Sequence, residues 1–346
     1  TSNYDGLNPF TGGFLSLDQN GNDTLVRFDA DGAAGTTSNG VIIAVLKSVN
    51  ASTLNSNNFN PNFDPNGDPI TNQTINGTYA ADTLAGGTGH DLIDGLEGND
   101  TIDGQAGSDT IDGGGGNDSI EGNFGNDDLR GGYGDDTITD TQGSNILDGG
   151  YGNDRLTARS LTGHQTLKGG YGADNLTGTG ATVRLEGGAD NDDLNAYGNQ
   201  SVSGQTAYVQ GGSATLDGGE GNDDLNSNSF SSVELDGGSG NDNLQSEEAR
   251  SSTLIGGIGD DTLYTYINNW DTHNTDGDDD LSSSTELFGG DGNDQLTINS
   301  YYGTQSYSGR VDVTASGGAG SDSITVSANN AGRNDLGGGD FGIATV

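Results

Sequence analysis

Between Gly77 and Thr157 one aliphatic residue returns at every ninth position: Leu84, Ile93, Ile102, Ile111, Ile120, Leu129, Ile138, Leu147 and Leu156. Mostly polar residues flank it, and Gly, Asn and Asp fill the rest of each unit. The units run uninterrupted from Gly86 to Thr157: GGTGHDLID (86–94), GLEGNDTID (95–103), GQAGSDTID (104–112), GGGGNDSIE (113–121), GNFGNDDLR (122–130), GGYGDDTIT (131–139), a degenerate DTQGSNILD (140–148) and GGYGNDRLT (149–157). GTYAADTLA (77–85) is an earlier, weaker copy. The rule is G-G-x-G-x-D-x-U-x, with U being Leu or Ile, and a fixed period of this kind marks a repeat architecture. Each unit predicts a tight turn followed by a short strand with U inward. No amphipathic helix is predicted anywhere.

Beyond Thr157 the pattern changes. Consensus turns continue at Gly169, Gly187, Gly218, Gly237, Gly256, Gly289 and Gly317, with a broken one at Gly337, at spacings of 18 to 33 residues. Two positions upstream of each surviving turn sits an apolar residue: Leu147, Leu167, Leu185, Leu216, Leu235, Leu254 and Leu287. This predicts coils of two turns and two short strands, in which one turn keeps GGxGxD and the other has diverged. Residues 1–59 read differently, as a small β domain or cap. GGFLSLDQ, a turn at Asn20-Gly21 and DTLVRF form a hairpin, and VIIAVLKSV (41–49) a buried strand. Residues 60–76, with Pro61, Pro65 and Pro69 among Asn, Asp and Thr, read as a linker. The organisation expected is therefore a regular roll with two consensus-turn edges over 77–157, and over 158–346 a continuation with one such edge and variable loops on the other.

Composition sharpens this reading. The chain has 346 residues, 64 Gly, 52 acids, 10 bases, no Cys and a formal charge of −42, with only 29% hydrophobic residues. That balance falls on the side of disorder unless something besides a core supplies stability. One buried Leu or Ile per nine residues does not offset the cost of ordering nine backbones. Nucleic acid is excluded as a partner, because ten scattered bases among 52 acids cannot neutralise a phosphate backbone. No apolar stretch is long enough to insert in a membrane as a helix. Without Cys there are no disulfides, thiolate metal sites or thiol nucleophiles. A missing initial Met marks the chain as a processed product or a piece of a longer one.

The turn itself proposes the stabiliser. Its glycines allow positive φ, its carbonyls point to one side, and its Asp adds a carboxylate. Oxygen donors without nitrogen or sulfur suit Ca2+, whose six to eight positions exceed what one turn offers. Stacking turns shares each ion between successive coils, giving a right-handed parallel β-roll whose folding and calcium binding are one event. Roughly a dozen divalent ions would remove more than half of the net charge.

The tandem GGxGxDxUx units resemble the RTX, or hemolysin-type calcium-binding, family over about residues 77–342. The resemblance implies an all-β calcium β-roll, a Gram-negative-type bacterial source (cyanobacteria included) and type I secretion, with folding outside the cell. Residues 1–76 are more loosely similar to the segment preceding such arrays in large cyanobacterial surface proteins. The C-terminal GGGDFGIATV departs from the family's terminal secretion signal. Carried over by position, the metal-ligating carboxylates are Asp100, Asp118, Asp136, Asp154, Asp174, Asp192, Asp223, Asp242, Asp261, Asp294 and Asp322 on a continuous edge. On a short second edge they are Asp91, Asp109 and Asp127, with Asp82 the weakest candidate. Asn145 replaces Asp in the degenerate unit, and there the second row is expected to fail.

Other features carry less. Three long variable segments, about 196–217, 265–288 and 298–316, hold Tyr197, Tyr208, Tyr266, Trp270, Tyr301, Tyr302 and Tyr307, aromatics of the kind favoured at recognition surfaces. Tyr133, Tyr151 and Tyr171 occupy third positions one coil apart and predict an outward ladder, with glycan binding as the alternative use. Asp276, Asp278, Asp279 and Asp280, and separately Asp29 and Asp31, are weak further calcium candidates. Catalysis has no motif to support it: His90, His164 and His273 form no HExxH, and there is no GxSxG or Walker lysine.

The expectation is a secreted, extracellular, calcium-stabilised structural protein of a bacterial cell surface, not an enzyme: a surface layer, filament or adhesin scaffold. Its partners would be copies of itself in a filament or lattice, further domains of a larger chain, or a cell-surface glycan. The alternative is the non-catalytic C-terminal module of a type I-secreted enzyme or toxin. Ice binding is disfavoured, because the third positions (Glu97, Gly115, Tyr133, Tyr151, Tyr171, Ala189, Glu220) present no uniform file of small residues.

Overall fold

The computed structural model describes residues 15–20, 23–28, 41–47, 72–160, 162–198, 212–268, 283–302 and 311–330. All regular structure among them is β. Near the N-terminus, β1 (Leu15–Asn20) and β2 (Asp23–Phe28) pair antiparallel, with Leu15 opposite Phe28 and Asn20 opposite Asp23. β3 (Val41–Leu46) joins β2 antiparallel, with a register shift between Val26 and Arg27. The predicted hairpin and third strand are present. The expectation that 41–49 is buried is not met, since Val45 is 43% exposed and Lys47 lies at the surface. One face of this small sheet meets solvent, as antiparallel sheets allow.

The roll begins at Thr74–Asn76, inside the segment read as a linker, and the next strand is Thr83–Gly87. From there the chain alternates between two parallel sheets of twelve described strands each. One runs from Thr74–Asn76 to Val311–Ala319, the other from Thr83–Gly87 to Ser323–Asn330. Every strand pairs with the equivalent strand of the coil before and after it, in unbroken register: Ile111, Leu129, Leu147, Leu167, Leu185 and Leu216 follow one another across neighbouring strands. The register holds across the diverged segments. Glu247 pairs with Tyr266, and Leu254 with Leu287 33 residues later. The strands persist where the second turn changes, as the spacing predicts.

The core is the file of U residues from the two sheets, from Ile93 to Leu296, almost all fully buried. Residues at the seventh position alternate outward; Leu92 and Ile146 there are about half exposed. The strands of the first sheet lengthen from three residues at Leu92–Asp94 to seven at Asn145–Tyr151 and eight at His164–Tyr171, and with this a third inward residue appears. Its file runs Gln165, Val183, Ala214, Val233, Ser252, Thr285, Val313. Asn145 precedes Gln165 in register. The position filled by Asp in the second-edge turns thus passes through two amides to apolar and hydroxyl side chains. Burial replaces polar oxygens where that turn has diverged.

The variable segments are shorter than expected. Strands Asp193–Tyr197, Thr262–Asn268 and Gln295–Tyr302 absorb their beginnings, and Ser213–Glu220, Ser283–Asp291 and Val311–Ala319 their ends. Tyr208, Trp270, Tyr307, His273, Asp29, Asp31, Asp276, Asp278, Asp279 and Asp280 lie outside the described residues, as do the side chains of Tyr301 and Tyr302. Tyr197 is 37% exposed and Tyr266 half-buried. The ladder of tyrosines is present: rings of Tyr133 and Tyr151 stack at 4.9 Å and those of Tyr151 and Tyr171 at 4.8 Å, close to the strand spacing of a sheet.

Candidate metal centre

The GGxGxD turns stack on the edge joining the first sheet to the second, and their carboxylates form one continuous row. In each, one oxygen accepts a hydrogen bond from the backbone N–H of the equivalent Asp one coil earlier. Thus Asp100 N donates to Asp118 Oδ1 at 2.8 Å, Asp118 N to Asp136 Oδ1 at 2.7 Å, and Asp154 N to Asp174 Oδ1 at 2.7 Å. The row continues through Asp192, Asp223, Asp242, Asp261 and Asp294 to Asp322. Coils of different length leave it intact, since Asp192 and Asp223 are 31 residues apart.

The other oxygen is unsatisfied. Oδ2 of Asp100, Asp118, Asp136, Asp154, Asp174, Asp192, Asp223, Asp242, Asp261 and Asp294 is buried without a hydrogen-bond partner. An orphaned buried carboxylate oxygen is costly, and a whole file of them calls for a common explanation. Each faces a hollow above the first glycine of its turn. A methyl group on Gly218 would touch Asp223 Oδ2 at 2.5 Å and the carbonyl oxygen of Gly237, one coil on, at 2.6 Å. The second glycine is required for a different reason. Gly132 has φ of 115°, and a Cβ there would run into the carbonyl of Gly114.

Electrostatics agree. Burial holds the carboxyls of Asp136, Asp174 and Asp261 at about 7 and Asp192 at about 8, against an ordinary 3.8. The backbone N–H bond lowers each, and neighbouring carboxylates raise it again. Asp118, Asp154 and Asp223 are pushed up to about 6 by the same burial. No three His, Cys, Asp or Glu side chains converge among the described residues. The donors are single carboxylates and backbone carbonyls, a hard all-oxygen set that fits Ca2+ and does not fit zinc or copper.

The second edge carries the same construction over fewer coils. Asp91 N donates to Asp109 Oδ1, and Asp109 N to Asp127 Oδ1, both at 2.8 Å, and the Oδ2 atoms of all three Asp are orphaned. Asp82 does not belong to this edge. Its backbone N–H donates to Asp100 Oδ1 at 2.8 Å, which puts it at the head of the continuous row, while Thr78 satisfies its Oδ2. Position decides the matter: Asp82 precedes Asp100 by 18 residues, one full coil. At Asn145 the stitching continues, because Asn145 Oδ1 accepts from Asp127 N at 3.0 Å. What ends there is the free oxygen, since Asn145 Nδ2 donates to Gln142 O.

Two features escaped the sequence reading. The fifth position of the turn, usually Asn or Asp, stitches coils in the opposite sense: Asn117 N donates to Asn99 Oδ1, Asp135 N to Asn117 Oδ1 and Asn153 N to Asp135 Oδ1. Its recurrence in the units was the available signal. His90 takes this place in its own unit, accepting from Ser108 N at 2.7 Å through Nδ1, so its ring serves the turn. The second feature is Asp140, fully buried where the other second-edge units start with Gly. Gln142 N bonds its Oδ1, and its Oδ2 is orphaned beside Asp127. Burial, then the contact with Asp127, push its carboxyl up to about 9.

Stacked turns of this chemistry on paired parallel sheets define a calcium-binding β-roll. A family model for the RTX calcium-binding nonapeptide repeat matches residues 76–111, 94–129, 103–138, 130–160, 168–199, 208–231, 249–269 and 286–297, together about half of the chain. The chain belongs to that family. No curated protein matches it.

Proposed function

We propose that this chain is a secreted structural protein of a bacterial surface whose roll is ordered by calcium held in the stacked turns. The observation that carries the reading is the file of buried, unpartnered Oδ2 atoms running through coil after coil on one edge. In this reading Asp100, Asp118, Asp136, Asp154, Asp174, Asp192, Asp223, Asp242, Asp261, Asp294 and Asp322 hold ions on the continuous edge, and Asp91, Asp109 and Asp127 on the second. The first glycine of each turn keeps the hollow open, and the carbonyl of the next coil adds an oxygen to it. When bound, Ca2+ supplies the positive charge that makes a row of buried carboxylates tolerable. The Asp backbone N–H groups fix each carboxylate so that one oxygen faces the hollow.

A chain of charge −42 with so small a core is kept open in low calcium and folds on reaching calcium outside the cell. The calcium-dependent state is then the exported, assembled one, a filament or lattice of like copies. Far-UV circular dichroism and negative-stain electron microscopy, with calcium and after EDTA dialysis, test this. Expected are a β spectrum and ordered assemblies with calcium, both lost on chelation. A β spectrum unchanged by exhaustive EDTA would overturn the calcium part, and dispersed single particles in calcium the assembly part.

A further inference from the structure

We propose that Asp140 and Asp127 form a two-carboxylate cation site that closes the second row of turns, with the Asp140 side chain standing in for the backbone carbonyl used elsewhere. The inference rests on the calcium reading of the regular turns and extends it to a unit whose sequence departs from the repeat at its first position.

The regular station one coil earlier gives the comparison. A methyl group on Gly104 would touch Asp109 Oδ2 at 2.6 Å and the carbonyl oxygen of Gly122 at 3.1 Å. The equivalent hollow above Gly122 is bordered by Asp127 Oδ2 at 2.8 Å and, closer still, by Asp140 Oδ2. Both oxygens are buried and meet no backbone or amide donor, only each other, in side chains no more than 2% exposed. Asp140 is also held as the turn aspartates are, one oxygen fixed by a backbone N–H and the other aimed at the hollow. The next residue in its file is Ala158, whose side chain has no oxygen to offer. A turn at this point therefore lacks a following coil of its own kind, and a carboxylate at the first position supplies the missing donor from within the unit. Two carboxylates on one divalent ion also balance its charge, which a single carboxylate with carbonyls does not.

The competing account is that the two carboxyls share a proton with no ion between them. Crystals of the full chain grown in calcium and exchanged into Tb3+ separate the two by anomalous scattering. Expected is a peak above Gly122 between Asp127 and Asp140, lost in Asp140→Asn, with peaks beside Asp118 and Asp136 in both proteins. Peaks beside Asp118 and Asp136 with none above Gly122 would overturn the proposal and leave the calcium reading standing. Absence of all peaks would overturn both. In solution, native mass spectrometry of Asp140→Asn in calcium should show one ion fewer than the parent, and an unchanged count refutes the site. Thermal melts serve where crystals fail. Asp140→Asn and Asp140→Gly should melt higher than the parent without metal and lower with calcium; a rise under both conditions makes Asp140 a buried mismatch and ends the proposal.

Discussion

Mild acid should partly replace calcium. In the metal-free roll, Asp109, Asp136, Asp174 and Asp261 are held at about 7 and Asp192 at about 8 by burial, against 3.8 for an exposed carboxyl. The folded chain therefore binds more protons than the unfolded one between pH 3.8 and about 7 to 8. Stability falls as pH rises through that window, and the penalty is complete above it. For one such group the full penalty is on the order of 4 kcal/mol, which solvent screening at the turn reduces to about 2 kcal/mol. In calcium-stripped buffer, the β signal in far-UV circular dichroism should rise as pH is lowered from 8 to 5. Lower net charge acts in the same direction, so about 0.5 M NaCl at pH 8 is the control: with a screening length of about 4 Å it weakens repulsion between exposed charges without relieving buried ones. Asp192→Asn at pH 8 should mimic protonation of that group. In calcium titrations, the half-saturating concentration should rise roughly tenfold per pH unit below 7 for each proton displaced. A β signal that is flat or falling from pH 8 to 5, or fully reproduced by salt alone, would refute the reasoning.

Three further outcomes follow from packing. Leu185→Ala removes a fully buried side chain from the continuous file and should cost about 2–5 kcal/mol in calcium-loaded denaturant melts, whereas Ile146→Thr, on a half-exposed residue, should stay near neutral. Gly132→Ala places a Cβ against the Gly114 carbonyl at a φ unsuited to it and should lower stability by at least about 1–2 kcal/mol, measured as a shift in melting temperature. Tyr151→Ala breaks both stacked pairs of the outward ladder and should cost about 1–2 kcal/mol while leaving the number of bound ions unchanged by native mass spectrometry.

Most of the roll was legible because each of its parts repeats. The ninth-position aliphatics gave the core, the glycines the turns, and the surviving Leu two residues before each turn located strands whose own turns had diverged. The edge of Asp82 is equally legible, since its 18-residue spacing from Asp100 assigns it to the continuous row despite a poor match to the consensus. Asp140 was not legible in this way. Its significance depends on register, which brings a residue at the start of one unit beside the sixth residue of a unit one coil earlier. The inward file from Gln165 to Val313 was hidden for a related reason. Polar and apolar members share it, and only the lengthened strands show that all face inward. The exposure of Val45 is not legible, because a run of aliphatic residues has the same pattern whether one face of its sheet is covered or both.

The tolerance of the register to coil length has an engineering consequence. Chain leaves one strand after Gly198 and re-enters the next at Gly212 without disturbing the pairing of either neighbour, and the same holds across the gap from Asn268 to Ser283. Each diverged corner is thus the place to insert foreign peptide with the strand pairing kept, at the modest entropic cost of a longer loop. Guests installed at successive corners would stand about 5 Å apart in single file, a ruler-like rack for presenting ordered arrays of epitopes or mineral-nucleating groups.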